Sequence, residues 1–255
     1  MIGLSWRDNM LSVSRPDLPA AIDSNYLEAF CRPGAHEREW GETVISHETT
    51  LLAGGKSESC VALESRLADG VVVSHAITAT DDEVDFRVTA RNPTAHESEA
   101  HWAQPCIRVG PFTGFEHAVD PYDYIRNCFV FLAGDVAHIP TEPWATSARY
   151  TPGQVWCPPH VPREDVNPRP LSSQVPSNGL IGCFSADGKT ILATAWEPYH
   201  ELFQGVIQCV HSDFRIGGLV PGESVEIRGK LYLVPADVAA LDERYEAHIP
   251  EQLAT

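Results

Sequence analysis

Residues 195–214, AWEPYHELFQGVIQCVHSDF, gather Glu197, His200, Glu201, His211 and Asp213 around one apolar run. Carboxylates and imidazoles are the groups that move protons near neutral pH. If 204-QGVIQCVHSDF-214 is a strand, Ile207, Cys209, His211 and Asp213 share one face, and Gln204, Val206, Gln208 and Val210 the other. His211 and Asp213 then neighbour each other at a strand end, where a carboxylate raises an imidazole's pKa and orients its ring. That suits general acid or base work; the bland alternative is a strand-end pair facing water. At such an exposed end His211→Ala is expected to cost stability no more than about 1 kcal/mol.

Pro198 is expected to stop a strand at Trp196 and Glu197, leaving 197-EPYHELFQG-205 as a loop that carries His200 and Glu201 at the surface. Glu197 beside an indole, and Glu201 on the loop, are further acid–base candidates through desolvation of a carboxyl group. In 101-HWAQPCIR-108 a regular strand puts Trp102, Gln104, Cys106 and Arg108 on one face, unless Pro105 adds a bulge. An indole covers apolar ring faces while Gln and Arg fix oxygens, so this face suits a sugar-like or carboxylate-bearing ligand. Trp156, Trp196, Gln204 and Arg169 extend the expected ligand contacts, with His101 or Glu197 opposing His211. Arg169, between two prolines, is equally able to brace its own loop by pairing with Glu164 or Asp165.

A metal site could draw on His47, His101, His211 and a glutamate, but 200-HE-201 lacks the second histidine of HExxH and no HxH occurs, so no metal or cofactor is assigned. No GxSxG elbow is present, local spacing sets no cysteine beside a histidine, and no Gly-rich strand-to-helix turn supports nucleotide binding.

These groups need a β framework. Alternation gives strands at 10–14, 25–30, 42–52, 59–67, 70–80, 82–91, 97–109, 125–132, 178–186, 189–196, 204–212 and 224–234, with a hairpin at 79-ATDD-82. His75 falls on a core-facing position. From Pro140 to Pro176 prolines accumulate around Trp144 and Trp156, which reads as a long ordered loop. Only 236–249 has helical spacing, through Val238, Leu241 and Tyr245. The expectation is all-β: one large antiparallel β-sandwich domain over 1–255, supersandwich-like, with a C-terminal helix.

Lys and Arg number 18 against 35 Asp and Glu, a formal net charge of -17, which disfavours nucleic acid and anionic membranes as partners. No segment approaches the roughly 20 apolar residues of a membrane span and no leader is evident, so a cytoplasmic protein is expected. Seven scattered cysteines without a CxxC pair read as small buried residues in a reducing compartment.

The meander leading into 97-ESEAHWAQPCIRVG-110 and the closing 219-LVPGESVEIRGKLYLV-234, where a PGE turn feeds the last strand, resemble the galactose mutarotase-like, or aldose-epimerase-like, supersandwich family. The segments 154-QVWCPP-159, 167-NPRPL-171 and 176-PSNGLIGCFS-185 also resemble bacterial proteins of unknown function. The family resemblance implies a carbohydrate ligand and an epimerase-type activity. Beside it stand lyase or hydrolase chemistry on a sugar or sugar acid, a non-catalytic carbohydrate-binding or assembly module of the same fold, and a metal-dependent enzyme with a His/Glu site.

Overall fold

A computed structural model describes residues 1–35, 38–140, 154–166, 171–205 and 207–248, with only the backbone of 53–56. Trp144 and Arg169 lie outside the described residues, as does much of the proline-rich stretch, at 141–153 and 167–170. The strands are β1 (Gly3–Arg7), β2 (Met10–Ser14), β3 (Ile22–Cys31), β4 (Val44–Ile45), β5 (His47–Ser57), β6 (Cys60–Leu67), β7 (Val72–Ala79), β8 (Glu83–Arg91) and β9 (Trp102–Arg108). They continue as β10 (Cys128–Leu132), β11 (Asp135–His138), β12 (Val155–Trp156), β13 (Pro176–Phe184), β14 (Thr190–Glu197), β15 (Tyr199–Gln204), β16 (Cys209–Arg215) and β17 (Ser224–Pro235). The helices are α1 (Trp40–Thr43), α2 (Gly110–Thr113) and α3 (Val238–His248).

Two antiparallel sheets result. The first runs β1-β2-β3-β9-β16-β15-β12, with β4 also on β3; the second runs β11-β10-β13-β14-β17-β8-β7-β6-β5. The expected hairpin closes β7 onto β8, where the Thr80 amide donates to the Glu83 carbonyl. Buried Val73, His75 and Ile77 alternate with exposed Ser74 and Ala76. His75 is a core imidazole, within hydrogen-bond distance of the Tyr26 and Ser65 hydroxyls.

Between the sheets, Leu11, Val13, Tyr26, Ala103, Ile107, Leu202, Val210 and Phe214 of the first meet Val73, Phe86, Leu192, Trp196 and Leu231 of the second. The Trp196 ring lies 4.6 Å from that of Phe214 and 5.2 Å from that of Phe86. Gly229 makes room for it, since a Cβ there would stand 2.5 Å from the indole. The other face of the second sheet, with Phe129, Ile191, Ala193 and Tyr232, packs under Leu241 and Tyr245 of α3. Arg244 anchors that helix by hydrogen bonds to Asp82 and Glu83.

The sandwich and terminal helix agree with the pattern, and several local readings do not, the expected strand 42–52 being split among α1, β4 and β5. Residues 199–204 form β15 rather than a loop, because Pro198 ends β14 in one sheet and the chain re-enters in the other. The segment 97–101 is not strand, and Ile207 sits exposed in the turn before β16. Pro105 leaves the β9–β16 register unbroken; the shift falls on β3, between Asn25 and Ala29. No helix among the described residues is long and apolar enough to cross a membrane.

Trp196→Ala should lower unfolding free energy by about 3–5 kcal/mol, measurable by denaturant titration, because the ring fills the inter-sheet core.

Candidate functional site

β9, β15 and β16 are buried on both faces except at Arg108 and Arg215. One face meets the second sheet. On the other, Val155, Cys157, Val161 and Val166 pack around Phe203. Side chains on this outer face are therefore withdrawn from water without being part of the inter-sheet core.

Register fixes their order. Arg108 pairs with Cys209, Ile107 with Val210, Ala103 with Phe214 and Trp102 with Arg215. That constant offset sets Gln104 opposite Asp213 and Cys106 opposite His211. β15 in turn sets Glu201 opposite Asp213 and Phe203 opposite His211. Two transverse rows follow, Gln104–Asp213–Glu201 and Cys106–His211–Phe203, and none of the six is more than 1 % exposed.

Along β16, Cys209, His211 and Asp213 recur at every second residue. His211 Nε2 lies 3.3 Å from Cys209 Sγ, and its Nδ1 lies 3.4 Å from Asp213 Oδ1. Phe203 stacks on the imidazole at 4.2 Å. Burial alone would hold the ring neutral, but the Cys209 sulfur and the Asp213 carboxylate outweigh it and push the His211 pKa up to about 10. Cys209 is drawn down by the hydrogen bond from Cys106 and by His211, while Cys106 is pushed up by sharing that bond and by burial. Local spacing thus does set a cysteine beside a histidine, contrary to the sequence expectation: alternate residues of one strand share a face. Gly205 permits this packing, because a Cβ there would stand 2.3 Å from Cys209 Sγ and 3.2 Å from His211 Nε2.

A second cluster lies one row beyond Asp213. The His200 ring stacks on Trp102 at 4.8 Å and 7°. Its Nδ1 faces Arg215 Nη1 at 3.2 Å and its Nε2 faces the Asp165 carbonyl at 3.3 Å. A guanidinium only donates and a carbonyl only accepts, so the ring is neutral with the proton on Nε2. Burial first, then Arg215, hold its pKa well below the ordinary value.

The expected site residues divide accordingly. His211, Asp213, Glu201, Gln104 and Trp102 share the outer face, with Arg108 at its rim, its Nη2 3.4 Å from Asn25 Oδ1. His200 and Glu201 are fully buried rather than exposed. His101 does not oppose His211: it precedes β9, with Nδ1 3.9 Å from Asp165 Oδ2, beyond the Trp102–Arg215 row. Arg215 itself is four residues, about 13 Å, along the strand from His211. Glu197 continues the Ile191, Ala193 and Ala195 face of β14 toward α3, on the opposite side of the sandwich, where burial raises its pKa. Trp156 and Trp196 belong to the inter-sheet core, and Gln204, opposite Val210, shares their side. The metal set of His47, His101 and His211 with a glutamate does not converge; His47 packs edge-on against Phe30. Among the described residues the cluster with metal-ligating spacing is Cys106, Cys209 and His211.

No protein-family model matches the sequence, nor does any curated protein. Solved structures do. The chain is similar to solved structures of galactose mutarotase-like proteins. One is a candidate aldose 1-epimerase from Escherichia coli K12, at 12 % identity, 91 % of this chain, 98 % of the other and a TM-score of 0.47. Another, a galactose mutarotase-like protein from Lactobacillus casei ATCC 334, gives 8 %, 91 %, 100 % and 0.46. A third, from Clostridium acetobutylicum, gives 8 %, 92 %, 98 % and 0.43. A likeness of this degree says nothing of the reaction.

Two outcomes follow from burial. His211→Ala should cost about 1–3 kcal/mol in denaturant titration, above the limit expected for an exposed residue. His200 should stay neutral as pH falls through its ordinary value of 6.5. The unfolded chain then takes up a proton that the folded one does not, so stability falls with acid over that window. His200→Gln should flatten that loss, and the ring's nitrogen shifts should report an Nε2–H tautomer throughout.

Proposed function

We propose that the chain is an acid–base enzyme acting on a small, oxygen-rich molecule of sugar or sugar-acid type at the outer face of the first sheet. Glu201 and Asp213 move protons, His211 orients Asp213 through Nδ1, and Gln104 and Arg108 bind substrate oxygens. The observation that carries this reading is the buried row Gln104–Asp213–Glu201. Buried carboxyl groups with shifted protonation behaviour cluster where proton transfer is needed. Gln104 adds an amide whose nitrogen and oxygen have no hydrogen-bond partner among the described residues, an arrangement suited to a hydroxyl that both donates and accepts.

A non-catalytic carbohydrate-binding module fits less well. Such a module presents aromatic faces to its ligand, whereas Trp156 and Trp196 are held in the core and Trp102 is covered by His200. The choice among epimerase, lyase and hydrolase turns on which substrate bond the carboxylates face.

The test is exchange NMR on a panel of reducing sugars and uronic acids with purified protein. Anomer exchange or product formation faster than the protein-free rate is expected, and Glu201→Gln should slow it about 100- to 10,000-fold. If Glu201→Gln reacts at the wild-type rate, the assignment of Glu201 falls. If no panel member is altered by the wild-type protein, the sugar reading falls.

A further inference from the structure

We infer that Cys106, Cys209 and His211 form a binding site for a thiophilic divalent cation of the zinc class, with Asp213 as the residue that orients the imidazole. Two sulfurs and one imidazole nitrogen lie within 4.8 Å of one another. Tetrahedral zinc, with bonds of about 2.3 Å to sulfur and about 2.0 Å to nitrogen, sets sulfur and nitrogen about 3.5 Å apart. The Cys209 Sγ to His211 Nε2 distance is 3.3 Å.

Three features beyond proximity point to a cation. The ligand atoms come from two paired strands, Cys106 on β9 and Cys209 and His211 at the start of β16, where the ladder fixes them. Gly205 keeps the space against Cys209 and His211 free of a side chain. Asp213 Oδ1 stands behind the ring at Nδ1, the carboxylate–histidine arrangement that fixes a metal-binding tautomer and strengthens the ligand. Cysteines packed merely as small apolar residues need no imidazole between a sulfur and a carboxylate.

Two thiolates and one imidazole leave the fourth position of a tetrahedral ion for water or a substrate oxygen. Binding releases two protons to solvent, one from Cys106 and one from the Cys209–His211 pair. The ion then takes Nε2, His211 keeps its Nδ1 proton toward Asp213, and Glu201 with Asp213 remain the groups that exchange protons with substrate. That division of labour rests on the function proposed above; the binding does not.

Cobalt(II) titration of the reduced full chain tests the site. One cobalt per chain is expected, with a strong near-ultraviolet thiolate-to-cobalt band and tetrahedral visible bands, all lost on adding zinc. Cys106→Ser and Cys209→Ser should each weaken both band and affinity. Asp213→Asn should keep the band but lower affinity about 10- to 100-fold, while Cys60→Ser, on the second sheet, should change nothing. Should the cysteine variants fail to fold, nitrogen-15 histidine spectra of the wild type decide: zinc should move His211 Nε2 most. A wild-type chain without the band, a band unchanged in both cysteine variants, or a His211 resonance indifferent to zinc would overturn the site. Glu201→Gln should bind cobalt as the wild type does, so loss of catalysis with cobalt retained, or the reverse, separates the two proposals.

Discussion

The burial of β9, β15 and β16 on both faces sets the terms for the rest of the structure. An antiparallel sheet ordinarily turns one face to water, and its polar residues collect there. Here the outer face of the first sheet is packed around Phe203 by Val155, Cys157, Val161 and Val166. Polar groups on that face must satisfy one another or a ligand. Cys209, His211 and Asp213 do so in sequence along one strand, while His200, Arg215 and Asp165 do so at its end.

The two clusters differ in what they can do. His200 has an acceptor and a donor on opposite ring nitrogens, both supplied by groups that do not change roles, so it is locked in one protonation state. Its stack on Trp102 and its bond to the Asp165 carbonyl tie the segment around 165 to the sheet. His211 instead lies between a sulfur and a carboxylate, both of which push its pKa up. One histidine is therefore fixed in its protonation state and the other is not, although both are buried and both sit on adjoining strands of one face.

Much of the framework was legible in the sequence because half-buried strands write their period of two directly, as β7 and β8 do with Val73, His75 and Ile77 or Val84, Phe86 and Val88. The same rule assigned the outer face of β9, placing Trp102, Gln104, Cys106 and Arg108 together, and grouped Cys209, His211 and Asp213. It failed at β15. A strand buried on both sides shows no alternation, so YHELFQ read as a polar loop. Without alternation in β15, Glu201 reads as a surface residue and its pairing with Asp213 leaves no mark in the sequence. Glu197 and Glu201 stand four residues apart in sequence but on opposite sides of the sandwich, because Pro198 carries the chain from one sheet to the other. Tryptophans misled for a related reason. An indole reads alike as ligand platform or core filler, and only the parity of β12 and β14 decides for the core. The cysteine–histidine contact was present in the alternation of β16 and lacked only the recognition that a separation of two residues on a strand is an adjacency.

The placement of Cys209, His211 and Asp213 on one strand, with Cys106 and Gln104 on its neighbour, makes the constellation modular. Sites assembled from several loops drift apart as those loops lengthen or shorten; a site written into one ladder keeps its spacing as long as two strands stay paired. The same five side chains on another antiparallel ribbon, roofed and given a glycine where Gly205 stands, would meet at the same separations. The unit that inheritance or engineering could move intact is thus three neighbouring strands, with β15 supplying Glu201 and Phe203, not a whole sandwich.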